Sequence, residues 1–412
     1  MSEGQPRQPL SREQTCVLAM LVLSVFINYV DRGSLSIAAP LLSGELQLSP
    51  SRIGILLSCF FWTYAVVQLF WGWAVDRFDA GAALAIGFVI WSVATVCTGF
   101  AMGFASLLGL RLLLGAGESV AYPAYSKILS RHFPAERRGL GNSSIAAGLA
   151  AGPAFGTLVG GVLMGAFGWR PFFIVLGLTS FAWLVPWMRI RLRDSHAPPH
   201  PALDSHEPTM GDVLRQRSAW GTFAGLFGFT YQWYFLLAWL PFFLVRERQL
   251  SMAEMGTVGG VSYLCFGVAS LAAGWLSDRW IGAGRSRTTV RKGFMAGGQA
   301  IAAIAIALCA FAGPETSVAL LMVANAGLGL SVSNLWAITQ TLAGPKASGK
   351  WTGIENFFGS LAGIASPAVA GFAVEQTGHF SLAFAITAVV GFLGVPAWIY
   401  VVGPIEQVRW RR

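Results

Sequence analysis

Four ionisable side chains stand in stretches that are otherwise apolar, and they come as two acid–base pairs. Asp31 and Arg32 are adjacent within Asn28-Tyr29-Val30-Asp31-Arg32-Gly33-Ser34, between an apolar run from Cys16 to Ile27 and another from Leu35 to Leu42. Arg111 and Glu118 share a second apolar stretch. Seven residues separate them, about two helical turns, which puts both on one face about 10.5 Å apart along the axis, with Tyr122 continuing the stripe. A charge at membrane depth costs about 2.5–3.5 kcal/mol on insertion scales and therefore faces a partner or a polar cavity. Buried ion pairs add little net stability over apolar packing, so a purely structural network is the weaker reading. A guanidinium in a low-dielectric cavity presents forked donors to a carboxylate. A buried carboxyl is drawn toward its neutral form by desolvation and toward its charged form by a nearby guanidinium. A proton on Asp31 or Glu118 would thus free Arg32 or Arg111 to take an anion, which is a route to symport. Asp31 and Arg32 point about 100° apart on a helix. Arg32 is expected to face the substrate, and Asp31 to turn toward the pair in the fourth apolar span.

The elements that must hold these groups are membrane spans. The chain has 412 residues, 55% hydrophobic and 11% charged, with mean hydropathy +0.60. A soluble chain carries roughly 25% charged residues. Twelve apolar segments fall near 17–40, 53–75, 81–101, 104–130, 142–166, 170–190, 219–245, 255–277, 292–313, 317–343, 351–374 and 380–402. Most reach the roughly 20 residues that span a bilayer. The first lacks a small-residue cleavage site and reads as a retained helix. If the spans alternate from an inner N-terminus, Arg32 and Arg111 lie within spans and Arg52, Arg170, Arg246 and Arg248 on outer loops. All other Lys and Arg fall inside. The positive-inside rule then predicts a multi-pass protein of the inner (plasma) membrane with both termini cytoplasmic. That distribution also turns the net charge of +9 away from nucleic acid. The five cysteines lie in or beside apolar spans without paired spacing, which indicates neither disulfides nor a metal site.

The segments fall into two halves. Gly72…Asp76-Arg77 at the end of span two returns 202 residues later as Gly274…Asp278-Arg279. Pro134…Arg138-Gly139 returns as Pro345…Gly349-Lys350. Repetition in one orientation is the pattern of parallel transporter repeats. The expected fold is an all-α membrane protein of twelve transmembrane helices in two six-helix bundles around a central cavity. Its parts are a tail at 1–15, bundles at 16–190 and 218–403, a linker at 191–217 and a second tail at 404–412. The linker is rich in Pro and charge. Its His196, His200 and His206 lack acidic or Cys partners at helical spacing, so no metal is expected there. Met210 to Arg217 has the look of a short interfacial helix.

The chain resembles the major facilitator superfamily in the Asp76-Arg77 and Asp278-Arg279 elements, the loop signature between helices two and three and between eight and nine. The first copy departs from the pattern, with Asp79-Ala80-Gly81 in place of the usual Gly and basic pair. Within the superfamily it is similar to the anion:cation symporter family, the group of bacterial sugar-acid transporters and animal vesicular glutamate and sialic acid carriers. The likeness is carried by Asn28 to Arg32, Phe60-Phe61-Trp62-Thr63-Tyr64 through Gln68 and Gly72, Arg111 to Glu118, Tyr234 to Pro241, and Asn356-Phe357…Ala362-Gly363. The resemblance implies that Arg32 is a substrate ligand, Asp31 and Glu118 are proton carriers, and Arg111 is the partner of Glu118. It also implies a substrate hydroxyl contact for Tyr64.

In the second half, polar residues that suit a polyhydroxylated substrate are Gln232, Asn334, Asn356 and Ser360, with Tyr231, Tyr234, Ser333 and Gln340 behind them. Each competes with the plainer role of a helix–helix hydrogen bond. Asp76, Arg77, Arg131, Asp278 and Arg279 read as cytoplasmic gate contacts. Glu355 reads as gate wiring, with a further proton site as the alternative. Gly148, Gly152 and Gly156 with Pro153 mark a close-packing fifth helix. The leading expectation is proton-coupled symport of an organic anion, a hexonate-like or hexuronate-like sugar acid, by alternating access. Its partners are that anion, protons and the bilayer, without nucleic acid, as a monomer. No cofactor is expected, protons being the coupling ion. The alternatives are a proton/drug or organic-compound antiporter of the same fold and a transporter-like sensor. A membrane enzyme is disfavoured by the lack of any nucleotide loop, metal ligand set or nucleophile constellation.

Overall fold

The computed structural model describes residues 10–133, 135–190 and 208–410. The described residues form twelve helices long and apolar enough to span a membrane. They are α1 (Arg12–Glu45), α2 (Pro50–Arg77), α3 (Ala80–Thr98), α4 (Phe104–His132), α5 (Leu140–Phe167) and α6 (Trp169–Arg189), then α7 (Arg217–Arg246), α8 (Met252–Gly282), α9 (Arg287–Cys309), α10 (Pro314–Gly344), α11 (Lys346–Thr377) and α12 (Ser381–Val401). Twelve crossings leave both described chain ends on one side, called here the terminus end. Linker residues 191–207, with the three histidines, lie outside the described residues. Beyond them Met210–Leu214 forms a one-turn helix capped by Thr209 and Asp212.

Local chemistry sets the helix starts. Ser11 and Gln14 form a capping box on α1, and Ser251 and Glu254 do the same on α8, each satisfying backbone donors that a helix leaves open. Ser49 caps α2 ahead of Pro50. The atypical Asp79 caps α3, its Oδ1 accepting the Ala82 N–H at 2.6 Å. Gly344, at φ +65°, turns the chain between α10 and α11, a conformation that favours glycine.

Side-chain size decides how the helices meet. Gly148 and Gly152 of α5 lie against Val22, Val25 and Tyr29 of α1, which is the close packing their spacing promises. The central helix of the second half is α7, with 83% of its apolar window buried. Leu69, Phe70, Leu271 and Phe311 are among the large apolar side chains left exposed, on surface that a bilayer would cover. The two halves meet through α1 with α7, α2 with α11 and α5 with α8. Away from the terminus end the α2–α11 seam is tight. A Cβ on Gly54 would lie 2.6 Å from the Pro367 carbonyl oxygen, and Glu375 Oε2 accepts the Ser51 N–H at 2.8 Å. Toward the terminus end the halves part around a cavity of about 600 Å³.

Candidate functional site

Helix α1 brings Arg32 to the middle of the first half, and α4 brings Glu118 to the same height. Arg32 Nε and Nη2 both donate to Glu118 Oε2, at 3.2 and 3.1 Å. A second Nη2 bond runs at 3.2 Å to Oδ1 of Asn28, one turn earlier on α1. Both partners are buried, Arg32 to 6% exposure and Glu118 to 0%. The guanidinium is held between rings, with its carbon 4.7 Å from the Tyr29 centroid, 4.8 Å from Phe60 and 4.9 Å from Tyr64. Such cation–π contacts gain strength where water is excluded. Among the described residues Glu118 Oε1 has no hydrogen-bond partner, and both bonds from Arg32 go to Oε2.

Arg111 is the expected partner of Glu118, and here the structure corrects the expectation. Among the described residues Arg111 makes no ion pair, and its buried Nε has no hydrogen-bond partner. Its guanidinium carbon lies 5.3 Å from the Phe60 ring centroid. The reason is height. Residues two turns apart share a face without sharing a level, whereas Arg32 on the neighbouring helix stands level with Glu118. Asp31 is also placed otherwise than expected. It turns to α3, where the Thr95 hydroxyl hydrogen-bonds its Oδ2, and its Oδ1 has no hydrogen-bond partner among the described residues. Thr95 also lies 2.9 Å from the Trp91 carbonyl oxygen.

Tyr64 belongs to the group, stacked on Phe60 at 5.3 Å between centroids. Below it, toward the terminus end, the open cavity is lined by Gln68, Tyr122, Gln340, Thr352 and Asn356. Ser360 stands one turn further along α11 from Asn356 and donates to its carbonyl oxygen at 3.0 Å. The other two proposed ligands face elsewhere. Gln232 is fully buried with its amide against Gly391 of α12. Asn334 accepts from Ser277 of α8 at 2.8 Å. Both fill helix–helix seams, because a polar side chain on a span has several faces to choose from. Glu355 is buried between helices as well, accepting from Thr339 of α10 at 2.7 Å.

The suggested gate residues sit at the rim of the open end. Asp76 pairs with Lys127 of α4 at 2.5 Å, inside its own half. Arg279 lies over Trp275 of its own helix at 5.4 Å. Arg77, Arg131 and Asp278 are exposed there. Sequence reasoning missed Thr95, which nothing distinguishes from other helical threonines, and underused Asn28, whose four-residue spacing from Arg32 was the available signal. It also passed over the hydroxyl pair Tyr29 and Tyr122, 3.3 Å apart.

The profile of the Major Facilitator Superfamily matches residues 21–367 and again 246–410. The chain is 29% identical over 410 residues to a hexuronate transporter of Bacillus subtilis (strain 168), covering 96% of each. It is 28% identical to a D-galactonate transporter of Escherichia coli O6:H1, covering 96% of this chain and 97% of that one. It is 30% identical to a probable sulfoacetate transporter of Cupriavidus necator, covering 93% of each. An inward-facing crystal structure of a bacterial homolog of the human lysosomal transporter Spinster superposes with TM-score 0.79 at 17% identity over 96% of both chains, a likeness of fold. The protein is a transporter and not an enzyme: it belongs to the Major Facilitator Superfamily.

Proposed function

We propose that this chain is a proton-coupled symporter of an organic anion, a sugar acid of the hexonate or hexuronate class, working by alternating access. It would do so as a monomer in the plasma membrane with both termini cytoplasmic. The observation that carries the reading is the Arg32–Glu118 pair, buried one layer from an open cavity. In this state Glu118 neutralises the guanidinium that a carboxylate would need. Removing one partner of a buried pair costs about 3–5 kcal/mol, so an anion cannot simply displace Glu118. A proton arriving on Glu118 releases Arg32 as the anion arrives, and departure of the anion restores the pair as the proton leaves. Asp31 suits a second proton. Thr95 has one hydroxyl hydrogen between two acceptors, the Trp91 carbonyl and Asp31 Oδ2, and a protonated Asp31 supplies the missing one.

The names of the relatives support the anion and, in two of the three, its hydroxyls: a hexuronate, a galactonate and a sulfoacetate. The neutral amides and hydroxyls of Gln68, Gln340, Thr352 and Asn356 along the cavity suit a polyol chain. The basic residues at the terminus end support the orientation. The test is uptake of a panel of labelled hexonates, hexuronates, aldarates and sulfoacetate into proteoliposomes, with and without an imposed pH gradient. Gradient-stimulated uptake of at least one sugar acid is expected. Stimulated uptake of sulfoacetate alone would keep the symport and remove the sugar.

A further inference from the structure

Between the halves the described residues line a large open cavity and a small one, and both central guanidiniums face the small one. Among the described residues no charged side chain lines the open cavity. The second cavity, about 20 Å³, is lined by Arg32, Ser36, Arg111, Phe61, Tyr234 and Pro367 among others. That volume suits about one water molecule, too little for a carboxylate. Phe61 of α2 and Tyr234 of α7 wall the small cavity and not the large one. Phe61 lies two turns further from the open end than Gln68, which lines the large cavity. The two rings meet edge to face, 4.5 Å between centroids, and this contact joins the two halves. The Phe61 ring also lies against α11 at Gly363, where an added Cβ would stand 2.9 Å from its carbons, so the seat exists because that residue is glycine.

We infer that the Phe61–Tyr234 pair is an occluding partition in the substrate path. It shuts the two-arginine chamber from the open cavity while the terminus end is open, and the rings must part before an anion passes between the two spaces. An anion released into the cavity then cannot fall back onto Arg32 and Arg111 until the partition reopens. The inference rests on the transport reading and deepens it. Its test needs no transport, so the two can fail separately.

Ser36→Cys reports the closed chamber and Ser348→Cys the open cavity, each on a background with the five native cysteines replaced. Vesicles oriented with the chain termini outward are treated with an anionic, membrane-impermeant methanethiosulfonate. With both rings intact, Ser348→Cys is expected to react quickly and Ser36→Cys at least about tenfold more slowly, in line with a ring contact holding the closed arrangement. Phe61→Ala or Tyr234→Ala should bring the Ser36→Cys rate up toward that of Ser348→Cys while leaving the latter unchanged. If a truncated ring prevents folding, seen as loss of the monodisperse peak of the detergent-purified protein in size exclusion, the intact-ring comparison and Phe61→Leu decide the matter. Equal rates at the two positions with intact rings, or no acceleration in any folded ring variant, would overturn the partition.

Discussion

Arg32 of α1 and Glu118 of α4 meet at 3.1 Å in the buried centre of the first half, while Arg111, two turns from Glu118 on the same helix, does not join them. Both guanidiniums face the closed chamber, one neutralised by Glu118 and the other without an ion pair among the described residues. The two guanidiniums are not equivalent, and their substitutions should separate.

Arg32→Lys keeps the charge and loses the fork that holds Glu118 Oε2 by two nitrogens. Bidentate geometry is what arginine adds over lysine. Sugar-acid uptake should fall by about tenfold or more, the scale of one charge-assisted hydrogen bond. Initial rates against substrate concentration would measure it, and wild-type kinetics in Arg32→Lys would remove Arg32 from the substrate path.

Glu118→Gln retains a hydrogen-bonding side chain and cannot exchange a proton. Accumulation driven by a pH gradient should vanish, while counterflow of labelled against unlabelled substrate stays measurable. Normal accumulation in this variant would make Glu118 a structural residue.

Thr95→Val removes the hydroxyl that meets Asp31 Oδ2 at nearly constant volume. A buried carboxyl left without a partner costs about 1–3 kcal/mol, so the purified variant should melt at lower temperature in detergent. An unchanged melting temperature would mean that Asp31 draws nothing from Thr95.

Gln232 and Asn356 were similar candidates on sequence and should now behave differently. Among the described residues neither amide atom of buried Gln232 has a hydrogen-bond partner, so Gln232→Met should leave KM within about twofold and the melting temperature unchanged or higher, since an unpaired buried amide is unfavourable. Asn356→Ala, in the open cavity, should raise KM. The reverse pattern, measured by uptake kinetics, would put the substrate against α12.

How much of this could be read beforehand follows from which quantity each residue type reports. Span number and the shared side of the termini are set by hydropathy and length, which the chain displays openly, and the capping residues Ser49 and Asp79 act on their own next turn. The four charges Asp31, Arg32, Arg111 and Glu118 stand out because membrane burial makes them costly. Their pairing was misread because spacing along one helix gives face and separation, but not the height at which a neighbouring helix passes. The same limit explains Gln232 and Asn334, whose own amides sit on the helix faces that meet α12 and α8 and not the cavity. Phe61, an ordinary aromatic by composition, gains its position from Gly363, some 300 residues later in the chain.

The central claim is that the anion and a proton move together through the Arg32–Glu118 pair. The most direct measurement is lumenal pH in proteoliposomes loaded with a pH-sensitive dye, after an inward gradient of the transported sugar acid is imposed without any pH gradient. Substrate entry should acidify the lumen in the wild type and not in Glu118→Gln. Uptake of the sugar acid by the wild type with no change in lumenal pH would contradict the account.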